Sequence, residues 1–207
     1  MHSCAKRGTV PDITVDVLIK IIGRKKQKEA DKRIFTMNNG RILVFCGEGR
    51  GKTSAAVGQG IKAADRGKSV VIIQFLKGNT PGGFDILKKL EPEIKLFSFE
   101  KSERPFEDLN DEERREETEN IRNGVNFAKK VLSTGGCDLL ILDEFLGLFD
   151  NDILTWDDFH ELLEAKGEDV SIIMTGINAG EEIVRCAGEI TKLETVKFLK
   201  GESDVSF

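Results

Sequence analysis

The amino-acid sequence encodes a mostly parallel β-sheet with helices on both faces, preceded by a helical extension. Three features lead to this α/β architecture: short β-rich runs that are apolar along nearly their whole length, helical-period segments between them, and glycine-rich turns where one gives way to the other. At 207 residues the chain suits one compact domain, since domains run to about 100–200 residues.

Residues 1–40 read as the extension. Asp12 or Thr14 can cap a helix carrying Val15, Leu18, Ile21 and Ile22 at helical spacing, followed by the basic run Arg24, Lys25, Lys26 and Lys28, which reads as a solvated face or linker, with contact to an anionic ligand or a partner chain as the alternative. Asn38-Asn39-Gly40 is a turn that opens the domain, residues 41–207. Its first strand is RILVFC, Arg41 to Cys46, apolar enough to be buried on both faces. A glycine-rich turn leads into a helix from about Lys52 to Arg66, and SVVIIQF, Ser69 to Phe75, forms the next strand before a loop with Pro81, Gly82 and Gly83.

Helix and strand then alternate again. Residues Asp111 to Leu132 begin acidic and set Ile121, Val125, Ala128 and Leu132 on one stripe, with Gly135-Gly136 ending the helix. DLLILDE, Asp138 to Glu144, is a buried strand; a helix from about Thr155 to Ala165 follows, then the strand DVSIIMTG, Asp169 to Gly176. EEIVRCA as helix and ITKLETVKF as strand complete the sheet.

Composition narrows the function. Thirty-six acidic against 31 basic residues leave a net charge of −5, without the positive field that a nucleic-acid backbone requires. No stretch approaches the roughly 20 apolar residues of a membrane span, and the apolar segment near Ile13 to Ile22 is interrupted by Asp16 and Lys20. Cys4, Cys46, Cys137 and Cys186 are scattered and fit a reducing cytoplasm, with Cys46 reading as a core side chain. His2 and His160 are too distant from one another to suggest a zinc site.

The residues with most chemistry are Gly47, Glu48, Gly49, Arg50, Gly51, Lys52, Thr53 and Ser54, between a buried strand and a helix. Glycines let a backbone turn its N–H groups around an anion, and a helix N-terminus adds positive potential there. Lys52 would lie along a phosphate chain, and the Thr53 hydroxyl would ligate a magnesium ion bridging phosphate oxygens. Cys46 stands where the usual G-x-x-x-x-G-K-[ST] pattern has glycine, so the loop is of the form GxGxGKT. A second motif is Asp143-Glu144, a carboxylate pair at the C-terminal edge of a strand, where open α/β sheets bind ligands. Asp143 would hold the metal through water, and Glu144 would ligate it or orient a reacting group.

Four segments, GEGRGKTSAAVGQG from Gly47, DRGKSVVIIQFLKG from Asp65, DLLILDE and SIIMTG, together resemble the P-loop type of ATP:corrinoid adenosyltransferases. The resemblance implies a P-loop NTPase-like fold that binds MgATP and transfers its 5′-deoxyadenosyl group to Co(I) of a reduced corrinoid, releasing triphosphate. Lys52 and Glu144 would then be the catalytic residues, and Thr53 and Glu144 match the family's metal-holding positions. The N-terminal helix resembles one that crosses to a neighbouring subunit in a homodimer, and a reductase is the implied electron-supplying partner. Departures cluster on the corrinoid side. Thr175-Gly176 is followed by Ile177-Asn178 where family members carry arginine, and Ile190-Thr191-Lys192 and Lys197-Phe198 replace a valine-threonine-glutamate and a lysine-histidine. FSFEKSERPF offers Phe99 and Phe106 but no tryptophan, the single one being Trp156. A hydrolase or kinase with the same loop, and a nucleotide-binding module without transferase activity, are the alternatives.

Overall fold

The computed structural model describes residues 40–76, 85–102 and 104–197. The expected N-terminal helix with its basic run, the Pro81-Gly82-Gly83 loop and the residues from Phe198 onward lie outside them. The elements run β1 (Ile42–Cys46), α1 (Lys52–Ala64), β2 (Val70–Gln74), a 3-10 segment (Asp85–Leu90), β3 (Ile94–Ser98) and α2 (Asp111–Ser133). After these come β4 (Leu139–Asp143), α3 (Gly147–Asp150), α4 (Trp156–Glu164), β5 (Ser171–Thr175), α5 (Glu181–Cys186) and β6 (Glu189–Lys192).

The six strands form one sheet in the order β3-β2-β4-β5-β1-β6, and every adjacent pair is parallel. Side chains alternate across a pleated strand, so each apolar run supplies both faces of the sheet. Val71, Ile73, Leu140, Leu142, Ile172 and Met174 pack in one core with Ile121, Val125, Ala128 and Leu132 of α2 and Phe159 of α4. Val70, Ile72, Leu139, Ile141 and Ile173 pack on the other face with Ala56 and Val57 of α1 and Leu87 of the 3-10 segment. The stripe expected on α2 is therefore the stripe it buries. Asn110 caps that helix, accepting from the amides of Glu112 and Glu113 while the Glu113 carboxylate accepts from the Asn110 amide.

Two strands differ from expectation. β3 was not among the elements read from the pattern: it is an edge strand whose Lys95 and Ser98 are exposed, so it lacks the continuous apolar run of its neighbours. The strand expected from Ile190 to Phe198 ends at Lys192, because its sole described partner, β1, ends at Cys46 opposite it.

Two glycines test the packing. A Cβ at Gly124 of α2 would lie 2.6 Å from Phe99 Cγ and 2.8 Å from Phe75 Cε1, whereas one at Gly58 of α1 would meet nothing within 4 Å. Gly124→Ala should cost about 1–3 kcal/mol through overpacking, and Gly58→Ala should gain about 0.5–1 kcal/mol from reduced chain entropy. Urea unfolding of both variants checks this; a stabilising Gly124→Ala would contradict the packing.

Candidate functional site

The glycine-rich loop sits at the C-terminal end of β1 and is held in shape by chain from β5 and β6. Gly47 and Gly51 have φ of 105° and 98°, a region that glycine enters without penalty. The Gly47 amide donates to the Ile177 carbonyl at 2.9 Å and the Gly49 amide to the Leu193 carbonyl at 3.0 Å, while Leu193 N–H donates to Cys46 O at 2.8 Å. Cβ atoms at either glycine would run into the Leu193 main chain, so the close approach itself requires glycine. The Arg50 amide donates to Thr195 Oγ1 at 3.3 Å.

These bonds change what the loop offers an anion. The amides of Gly47, Gly49 and Arg50, expected to turn around phosphate, bond instead to acceptors of the chain itself. The first turn of α1 supplies the remaining donors, since the first four N–H groups of a helix have no intrahelical acceptor. Gly51 is its N-cap, without a side-chain cap. Lys52 Nζ folds back to donate to Gly47 O at 2.8 Å and Gly49 O at 3.0 Å, closing the loop with its charge at the mouth. Glu48 and Ser54 are exposed on either side.

Facing this loop is a buried carboxylate. Asp143, with no solvent exposure, ends β4. Its Oδ1 accepts from Thr53 Oγ1 at 2.9 Å and from Thr175 Oγ1 at 2.7 Å, and its Oδ2 accepts from Gln74 Nε2 at 3.1 Å. The first bond joins two expected site residues far apart in sequence. Glu144 follows with φ of 58°, and its amide donates to Thr175 Oγ1 at 2.8 Å.

Lys52, Thr53 and Asp143 are thus brought together where the two motifs were expected to meet. Sequence reasoning missed Gln74 and Thr175 as partners of Asp143. A signal was there: each is the polar residue ending an apolar run, and the register pairs Gln74 with Asp143 and places Thr175 one step beyond the Leu142–Met174 pair. The side chains expected nearer the corrinoid are engaged in packing. Phe99 lies 5.7 Å from the Phe127 ring, and the Arg114 guanidinium lies 5.7 Å over the Phe106 ring. Trp156 stacks on Phe149 at 4.2 Å. Burial pushes the thiols of Cys137 and Cys186 up to about 11, which leaves both protonated and unreactive at neutral pH. Among the described residues no helix is long and apolar enough to cross a membrane.

A phosphate-loop helix docked on a carboxylate-bearing parallel strand defines a nucleotide-binding α/β protein of the P-loop class. Residues 38–205 match the family described as ATP:corrinoid adenosyltransferase BtuR/CobO/CobP, and the chain belongs to that family. It is 29% identical over 176 residues to the corrinoid adenosyltransferase of Escherichia coli K12, an alignment covering 84% of this chain and 87% of the relative. Corrinoid adenosyltransferase CobA of Salmonella typhimurium is 30% identical over the same shares. The Pseudomonas aeruginosa corrinoid adenosyltransferase is 23% identical over 88% of this chain and 92% of its own.

Lys52→Ala should weaken ATP binding at least about tenfold, the equivalent of one charge-assisted contact. Lys62→Ala, in the last turn of the same helix, should leave it unchanged. Calorimetry distinguishes the two, and equal affinities for both variants and the wild type would remove this loop from the site.

Proposed function

We propose that this protein adenosylates corrinoids: MgATP donates its 5′-deoxyadenosyl group to the Co(I) of a reduced corrinoid, and triphosphate leaves. The observation that carries the reading is the Thr53–Asp143 bond, which joins the phosphate loop to the carboxylate strand in a chain of this family.

In this reaction the cobalt nucleophile forms a bond to the ribose C5′ carbon while the bond from that carbon to the triphosphate oxygen breaks, its electron pair leaving with the triphosphate. The protein therefore needs no nucleophilic side chain. Its work is to hold the leaving group and to orient the ribose carbon. Lys52 and the amides at the start of α1 supply positive charge where negative charge develops on the departing triphosphate.

Thr53, Asp143 and Glu144 offer only hard oxygen donors, the set that suits magnesium rather than a softer metal. A hydroxyl that donates its proton to a carboxylate keeps acceptor lone pairs, the form a cation requires, and Thr53 is in that form. Thr53 and Glu144 would hold the ion and Asp143 would orient Thr53 and a metal-bound water. When bound with the nucleotide, the ion would neutralise charge on the triphosphate.

The same reading includes a homodimer in which residues 1–40 reach a neighbouring subunit, a reductase that supplies the electron for Co(I), and a cytoplasmic location. The family resemblance of the N-terminal segment, the need for Co(I) and the scattered cysteines support these in turn. A nucleotide-binding module without transfer is the second reading, favoured by one observation: Phe99 and Phe106 are both occupied in packing.

Anaerobic incubation with MgATP and chemically reduced cobalamin should yield adenosylcobalamin and triphosphate. ADP with phosphate would point to a hydrolase, and binding without turnover to the module. Glu144→Gln should keep nucleotide affinity within about threefold while turnover falls at least about tenfold; wild-type turnover would take Glu144 out of the site.

A further inference from the structure

Thr175 is a buried polar residue that neither motif includes, and it touches both acidic residues at once. Its single hydroxyl proton goes to Asp143 Oδ1 at 2.7 Å, and its oxygen accepts the Glu144 amide at 2.8 Å. One proton and one accepted bond fix the direction of that hydroxyl. Its own backbone carbonyl accepts the Leu146 amide at 3.1 Å, so side chain and main chain together grip residues 143–146.

The grip has something to oppose. Glu144 has φ of 58°, a left-handed conformation that a residue with a Cβ seldom adopts. Such a conformation persists only where the surroundings over-determine it. Here it is the Thr175 hydroxyl that bonds the Glu144 amide, and Gly176 lets β5 run close against Leu146, where a Cβ would collide with the Leu146 side chain. The backbone at residue 144 decides the direction in which its carboxylate leaves the end of β4. Asp143 Oδ1 is meanwhile shared between Thr175 and Thr53, so the hydroxyl from β5 also bears on the orientation of the hydroxyl from α1.

We infer that Thr175 is a positioning residue for the metal–nucleotide site: through one hydroxyl it aims Glu144 and steadies the Asp143–Thr53 pair, without touching nucleotide itself. This deepens the assignment of Asp143 and Glu144 made above and rests on it. Outer-shell groups of this kind change metal affinity or activity by about 10–100-fold when removed. The effect therefore belongs to the magnesium-dependent part of binding and not to the contacts that Lys52 and the loop make with phosphate.

The test uses the full chain and a fluorescent ATP analogue, titrated with EDTA present and then with increasing magnesium. Thr175→Val keeps the shape and removes the hydroxyl; it should raise the half-saturating magnesium concentration about tenfold or more, with metal-free nucleotide affinity unchanged within about twofold. Thr175→Ser retains the hydroxyl and should return the magnesium requirement to near the wild-type value. Wild-type magnesium dependence in Thr175→Val, an equal loss of metal-free binding, or no rescue by serine would each overturn the inference. If Thr175→Val does not fold, Thr175→Ala takes its place in the same titration, with the same rise in the magnesium requirement expected. Failure of both to fold would make Thr175 purely structural and overturn the inference as well. Because the readout is nucleotide and magnesium binding, a wild-type protein that makes no adenosylcobalamin would defeat the transferase reading and leave this test standing.

Discussion

The site is organised around a carboxylate with no access to solvent. A carboxyl group inside a protein is tolerated only when its oxygens are bonded, and Asp143 meets that condition with three side-chain donors from three elements, α1, β2 and β5. Each donor arrives from a different direction in the sheet, so the bonds can be made together only when β2, β4 and β5 are in register and α1 is seated at the mouth of β1. Among the described residues every buried side-chain nitrogen or oxygen has a partner, so this network is completed rather than strained by folding. The same carboxylate thus reports on the fold and ties the start of α1 to the end of β4.

That arrangement explains a division of labour. The amides of Gly47 and Gly49 shape the loop by bonding to Ile177 and Leu193, and the start of α1 with Lys52 carries the positive potential. Shape and charge are supplied by separate groups. An anion can then be received without remaking the turn, as electrostatic preorganisation requires.

Much of this was legible in the sequence because four strands are buried on both faces. ILVFC, VVIIQ, LLILD and SIIMT read as strands from their apolar runs alone, and Lys52, Thr53 and Asp143 read as a site from residue type and placement. What stayed hidden is pairwise. Nothing in the local pattern says that β5 lies between β1 and β4, and without that order nothing links Thr175 to Asp143 or Glu144. The capture of the Gly49 amide by Leu193 was equally hidden, since it depends on a neighbouring strand ending opposite Cys46. IKLFS escaped notice because an edge position lets Lys95 face solvent and breaks the hydrophobic signal.

β6 gives this arrangement an unequal temperament. All four of its residues are exposed and, among the described residues, β1 is its one strand neighbour, yet the chain just beyond it moulds the turn at Gly47 and Gly49. Elements with little apolar contact open first in the native ensemble. Amide protons at Gly49 and Leu193 would accordingly trade with solvent as a pair, well ahead of those in β4, so that grip on the turn is lent by the most weakly anchored ribbon of an otherwise firmly sealed sheet.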